Sequence, residues 1–239
     1  MSSRIKIISF YTVTSFLIVL FSVLIYRSFA KISSYVSINH VETAPTIVLD
    51  AGHGGEDGGA CSFDGKFLEK EVNLNIALKL EKMLLASGFK VNMIRDKDIS
   101  IYDENSTSIR SKKVSDLHKR LEIANQNSNN ILISIHQNEF CDSKYYGAQV
   151  FYSTNNKESK KIATDIKNAF VGLLQPENTR EIKPAGKNIY LLYNSNVPAI
   201  IVECGFLSNK EEAEKLATSE YQSKVAFAIY SGFLDYYNN

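Results

Sequence analysis

His53, His136 and Glu203 each follow an aliphatic run: Thr46-Ile47-Val48-Leu49-Asp50-Ala51-Gly52-His53, Ile131-Leu132-Ile133-Ser134-Ile135-His136 and Pro198-Ala199-Ile200-Ile201-Val202-Glu203. Two imidazoles and one carboxylate, with an open position for water, form a common catalytic zinc shell. Zinc in such a shell lowers the pKa of its bound water toward about 7 and polarises a carbonyl oxygen. A nearby carboxylate must then take the water's proton and pass it to a leaving amine. His53 and His136 are the candidate imidazoles, and Glu203 is the candidate proton carrier. For the third ligand, Glu56, Asp57, Glu69 and Glu71 all follow His53 within one loop and helix start, and spacing alone does not choose among them. His40 lies in a linker and His118 on a polar helix face, so neither is favoured. Each reading has a plainer rival. A first-turn acid such as Glu69 is favoured by the helix macrodipole in any case, and Glu203 could be neutralised by a buried partner such as Arg95 or Arg120.

Short runs rich in Ile and Val, flanked by Gly, Asn or Pro, read as buried strands. Open α/β sheets bind ligands beyond the carboxyl ends of their strands, so three such endings could converge on one pocket. The loop Gly52-His53-Gly54-Gly55-Glu56-Asp57-Gly58-Gly59 supplies glycines that let backbone wrap a ligand closely. Val72, Ile76, Leu80, Met83 and Leu84 recur at helical spacing and predict a helix over residues 69–86, stopped by Ser87-Gly88. A strand is predicted at 89–95, a polar irregular loop at 96–115, and a helix marked by Leu117, Leu121 and Ala124. Further strands are predicted at 147–153 and 189–193, and helices at 157–174, 210–217 and 221–237. Alternating helix and strand predict a single three-layer α/β/α domain with a mostly parallel central sheet.

The N-terminus is a separate matter. Residues 7–26 carry no charge and are flanked by Arg4 and Lys6 before, Arg27 and Lys31 after. As a helix this apolar run would be about 30 Å long, enough to cross a bilayer's hydrocarbon core. Its densest part also matches a signal peptide, with Ser28-Phe29-Ala30 as a small-x-small cleavage site. The expectation is therefore an N-terminal apolar helix in residues 1–31, either a signal peptide or a membrane anchor, then a linker over 32–45 and a catalytic domain over 46–239. On either reading the domain is exported. Beyond residue 31 the chain has 23 basic against 26 acidic residues, so no polybasic face recommends nucleic acid as a partner. Three cysteines, Cys61, Cys141 and Cys204, are an odd number for an exported chain, so at least one lacks an intramolecular partner.

Taken together, Val48-Leu49-Asp50-Ala51-Gly52-His53-Gly54-Gly55-Glu56-Asp57-Gly58-Gly59-Ala60, Leu68-Glu69-Lys70-Glu71, Ser134-Ile135-His136-Gln137-Asn138 and Pro198 to Asn209 resemble, in order, the zinc-dependent N-acetylmuramoyl-L-alanine amidases of the amidase-3 type. The resemblance implies hydrolysis of the amide joining the lactyl group of N-acetylmuramic acid to the L-alanine of the peptidoglycan stem peptide. It implies Zn2+ held by His53, Glu69 and His136, with Glu203 as the catalytic glutamate. Arg95, Arg120, Asn125 and Asn138 match recurrent family positions expected to support the site or contact substrate, and Arg95 or a backbone amide is a candidate donor to the oxyanion. Gln137-Asn138-Glu139-Phe140 depart from the small residues common after the second histidine. Compact size and the N-terminal apolar segment resemble the spore-cortex amidases of endospore formers, which implies glycan strands with stem peptides as substrate and a lipoprotein as possible activator. Two alternatives stand beside this: a zinc peptidase acting within stem peptides, and a noncatalytic, membrane-tethered peptidoglycan-binding protein or activator.

Overall fold

The computed structural model describes residues 17–23, 25 and 44–239. Residues 17–23 are helical, and the Ser22 hydroxyl donates to the Ile18 carbonyl at 2.9 Å. Most of the expected signal or anchor segment, its cleavage site, His40 and nearly all of the linker lie outside the described residues. Among the described residues no helix is long and apolar enough to cross a membrane.

The domain carries β1 (Thr46–Ala51), α1 (Glu69–Ala86), β2 (Lys90–Met93), α2 (Ile109–Asn125), β3 (Asn130–Asn138), β4 (Gln149–Tyr152), α3 (Lys157–Leu173), β5 (Lys183–Pro184), α4 (Tyr190–Tyr193), β6 (Ala199–Phe206), α5 (Lys210–Leu216) and α6 (Ser219–Asn238). One sheet of order β2-β1-β3-β6-β4-β5 results. Its pairs are parallel except β4 with β6. The three apolar runs that end in candidate chemistry become neighbours, β1-β3-β6, with their carboxyl ends at one rim.

Strands buried on both faces need helices on both sides. Val48, Leu132, Ala199 and Ile201 pack with Ala124 of α2 and Leu191 and Leu192 of α4. The alternate residues Leu49, Ile133, Ile200 and Val202 are equally buried, and by the two-residue period of a strand they face the opposite layer. In that layer α1 and α3 pack against α6. Helix α1 turns Val72, Ile76, Leu80 and Leu84 inward, as their spacing predicts.

Two local expectations are corrected, and one strand was not predicted. Residues 190–193 form one helical turn, not a strand: Leu191 and Leu192 are both buried, at 4% and 0% exposure, which successive residues of a one-sided strand cannot be. The polar stretch to Ser115 is not all loop, because α2 starts at Ile109, with Ser108 and Ser111 capping each other reciprocally. Its first turns are largely exposed, so no apolar period marks them. Strand β5 is a two-residue exposed edge, too short and polar to show a pattern.

Candidate metal and proton-transfer site

Strand β1 ends at Ala51 and the chain turns sharply. His53 has φ 64°, a left-handed backbone that is costly for any residue with a Cβ. Two buried arginines hold this turn by its carbonyl oxygens. Arg95 donates through Nε to Ala51 O at 2.7 Å and through Nη2 to Gly52 O at 3.0 Å and Lys70 O at 2.8 Å. Arg120 donates through Nη1 to Ala51 O at 3.1 Å and through Nη2 to His53 O at 2.7 Å. Arg120 also pairs with Asp50 and with Asp116, and Ser134 donates to the other Asp50 oxygen at 2.6 Å. Burial opposes charge on Asp50, but Arg120 and its other neighbours hold the carboxyl below its usual range. Arg95 is pulled down to about 10 by burial and by the like charge of Arg120.

His136 lies on β3 and Glu203 on β6, directly opposite each other in register. Neither is the last residue of its strand, since β3 runs on to Asn138 and β6 to Phe206, with an irregularity between His136 and Asn138. Glu69 stands in the first turn of α1. Its side chain does not cap its own helix; it accepts from Ala60 N at 2.8 Å, Gln137 N at 3.0 Å and Asn73 Nδ2 at 3.1 Å. His136 Nδ1 lies 2.9 Å from one Glu69 oxygen and His53 Nε2 lies 3.2 Å from the other. Ligand atoms of His53, Glu69 and His136 lie within 4.8 Å of one another. Small side-chain shifts would bring all three onto one ion with bonds of about 2.0–2.2 Å.

The rival carboxylates are engaged elsewhere. Glu56 pairs with Lys112, Asp57 bonds the far nitrogen of His53, and Glu71 is exposed. Burial pushes Glu69 upward, but its bonds to His136 and His53 hold it far below the carboxylate range. Burial likewise opposes charge on His53, yet Asp57 and Glu69 raise its imidazole to about 9. Such an environment welcomes positive charge between these groups, whether protons or a dication.

Neither arginine meets Glu203, so the neutralised-acid alternative fails. Glu203 Oε2 is shut off from solvent and has no hydrogen-bond partner. Burial lifts this carboxyl to about 7, with His136 opposing and Glu69 adding to the rise. A cavity of about 450 Å3 opens beside His53 and His136, walled by Tyr102, Leu117, Tyr190 and Ile201.

Arg95 is 2% exposed and its guanidinium serves the carbonyls of Ala51, Gly52, Lys70 and Lys97, so it does not suit the expected role of oxyanion donor. Asn125 joins the end of α2 to Asn194 and Asn196 and is not brought to the site. Asn138 closes β3, its carbonyl accepting from Leu207 N at 2.9 Å. His118 packs against Tyr190. Sequence reasoning missed Asp50, Asn73 and Gln137 as supports. A buried acid inside an aliphatic strand was the available signal for Asp50; nothing local marked the other two. Cys61, Cys141 and Cys204 are free thiols, and Cys204 is a buried core residue.

Two glycines are required by close approach. A Cβ on Gly52 would collide with the His136 ring, and one on Gly59, at φ 68°, would meet the His53 ring and the Glu69 carboxylate. Gly52→Ala is therefore expected to displace His136 and lower metal affinity at least tenfold, on the order of what loss of a ligand's orientation costs. Chelator competition checks this, and wild-type affinity in the variant would refute the packing argument.

The family profile described as N-acetylmuramoyl-L-alanine amidase matches residues 47–235. The chain is 36% identical, over 99% of its length and 97% of the relative's, to the germination-specific N-acetylmuramoyl-L-alanine amidase of Bacillus subtilis. Among solved structures it is similar to the CwlD amidase from Clostridioides difficile in complex with the GerS lipoprotein, with 42% identity, TM-score 0.78, and coverage of 81% of this chain and 98% of that one. The AmiC2 amidase of Nostoc punctiforme shares the fold at 28% identity and TM-score 0.69, covering 82% of this chain and 98% of that one.

Proposed function

Since the chain belongs to the amidase-3 family of N-acetylmuramoyl-L-alanine amidases, we propose that it cleaves the amide between N-acetylmuramic acid and the L-alanine of the stem peptide, using Zn2+ held by His53, Glu69 and His136. The observation that carries the reading is the convergence of those donors beside a buried, unpartnered Glu203 oxygen. When bound, zinc supplies water activated at neutral pH and polarises the scissile carbonyl.

The chain's own residues do the rest. Glu203 accepts a proton from the attacking water as the new C–O bond forms, and delivers it to the alanine nitrogen as the C–N bond breaks. A carboxyl whose affinity for protons burial has raised toward neutrality suits both halves of that transfer. Asp57, bonded to His53 Nδ1 at 2.8 Å, leaves Nε2 facing the site. Arg95 and Arg120 support the turn that carries His53, and Asn138 lies beyond His136 on the strand that carries it. The cavity beside the histidines, walled in part by Tyr102, Leu117, Tyr190 and Ile201, has room to seat the reacting segment.

The relatives support a role in spore cortex formation, with glycan strands carrying stem peptides as substrate, and an exported location; membrane attachment, if the N-terminal segment is retained, rests on the uncharged run over residues 7–26 alone. The test is mass analysis of peptidoglycan fragments treated with zinc-loaded protein. Free stem peptides beginning with L-alanine are expected; cuts inside the peptide would mean a peptidase, and binding without any released peptide a noncatalytic role. The C. difficile neighbour's complex with a lipoprotein supports a lipoprotein activator here also. Zinc occupancy of the isolated chain is expected to be substoichiometric and to rise when such a partner is added. Saturated occupancy in equilibrium dialysis without it would refute that dependence.

A further inference from the structure

Metal ligands need a fixed ring orientation and tautomer, which the group bonded to the other ring nitrogen usually provides. His53 needs this more than most, because its left-handed backbone already stores strain. Asp57 bonds His53 Nδ1 through one oxygen at 2.8 Å. Its other oxygen is held at 2.8 Å by Lys113 Nζ, from α2. The neighbouring Lys112 grips Glu56, one residue earlier in the same loop, at 2.9 Å. Two adjacent lysines of one helix thus tether two adjacent acids of one loop. One of those acids bears on a donor and the other does not.

We propose that Lys113 and Asp57 form a positioning arm through which helix α2 sets the affinity of His53 for the ion, while Lys112 and Glu56 merely tie the loop down. The proposal rests on the reading of His53 as a metal ligand. Lys113 acts only through Asp57; Asp57 acts by keeping the proton on Nδ1 and the lone pair on Nε2, toward Glu69.

Co2+ and Zn2+ binding to the full chain, measured by chelator competition and by the Co2+ visible spectrum, tests it in four variants. Asp57→Ala is expected to weaken binding about 10–100-fold and alter the Co2+ spectrum, as loss of an outer partner does. Lys113→Met should weaken binding by a smaller factor, and Lys113→Arg should restore it. Lys112→Met should stay within about twofold of wild type, since its partner Glu56 is exposed and touches no ligand. The double variant Asp57→Ala/Lys113→Met should bind no more weakly than Asp57→Ala alone, as for two residues in series. Equal effects of Lys112→Met and Lys113→Met, or additive effects in the double variant, would overturn the arm in favour of simple loop tethering. Wild-type binding in Asp57→Ala would sink the arm alone. If the wild-type chain bound neither ion at saturating concentration, with or without a lipoprotein partner, the ligand assignment would fall and take the arm with it.

Discussion

Glu203→Gln is expected to lower kcat by about 10²–10⁴-fold, the usual contribution of a positioned proton carrier, while zinc binding stays at the wild-type level. The amide keeps the carboxyl's shape but cannot accept a proton, and Glu203 lies opposite His136 without being one of the three convergent donors. Turnover within threefold of wild type would remove Glu203 from the reaction. The pH profile gives a second reading. Burial raises the metal-free carboxyl to about 7 and a bound dication lowers it, so the acidic limb of kcat/KM should fall at or below neutrality and vanish in the variant. Stability moves in the opposite sense. A folded-state pKa raised from 4.5 to about 7 favours the fold at low pH and loses that contribution as pH climbs through this interval. The metal-free Gln variant should therefore gain stability relative to wild type at pH 8 compared with pH 4, which urea melts at the two pH values would register.

Arg120→Met should cost about 3–5 kcal/mol, the usual penalty for removing one partner of a buried pair. The methionine fills much of the space, but Asp50, 1% exposed, keeps only the Ser134 hydroxyl, the His53 carbonyl loses its arginine donor, and the Ala51 carbonyl is left with Arg95 alone. For a domain stable by about 5–15 kcal/mol such a loss is a large fraction of the total. Asp50→Asn in the same chain should recover part of it, because the stranded charge is then gone. A loss below about 1 kcal/mol in urea unfolding would mean the Asp50–Arg120 pair is dispensable.

Much of this architecture was legible because apolar periodicity reports burial, and burial on both faces of β1, β3 and β6 made their runs continuous. The helix over 69–86 was readable for the same reason. Residues 190–193 were misread because four apolar and aromatic residues are too few for a helical period to show. The start of α2 was hidden because an exposed first turn has no core to face. In the site, His53, His136 and Glu203 were visible as chemistry next to aliphatic runs. Glu69 needed the family resemblance, since its rivals are neighbours in the chain and differ only in where the backbone aims them. The roles of Arg95 and Arg120 were less visible still: their partners are backbone carbonyls, which every sequence has and none displays.

His136 and Glu203 share one rung of the β3–β6 ladder, away from either strand's last residue. Sliding one strand by a single residue would send Glu203 to the far side of the sheet, among the aliphatic side chains facing α1 and α3. A chain that mispaired these strands would thus be inert and also burdened by a stranded acid, with no half-working intermediate alignment. Catalytic competence in a refolded sample would accordingly report that this central seam of the sheet has closed in the right alignment.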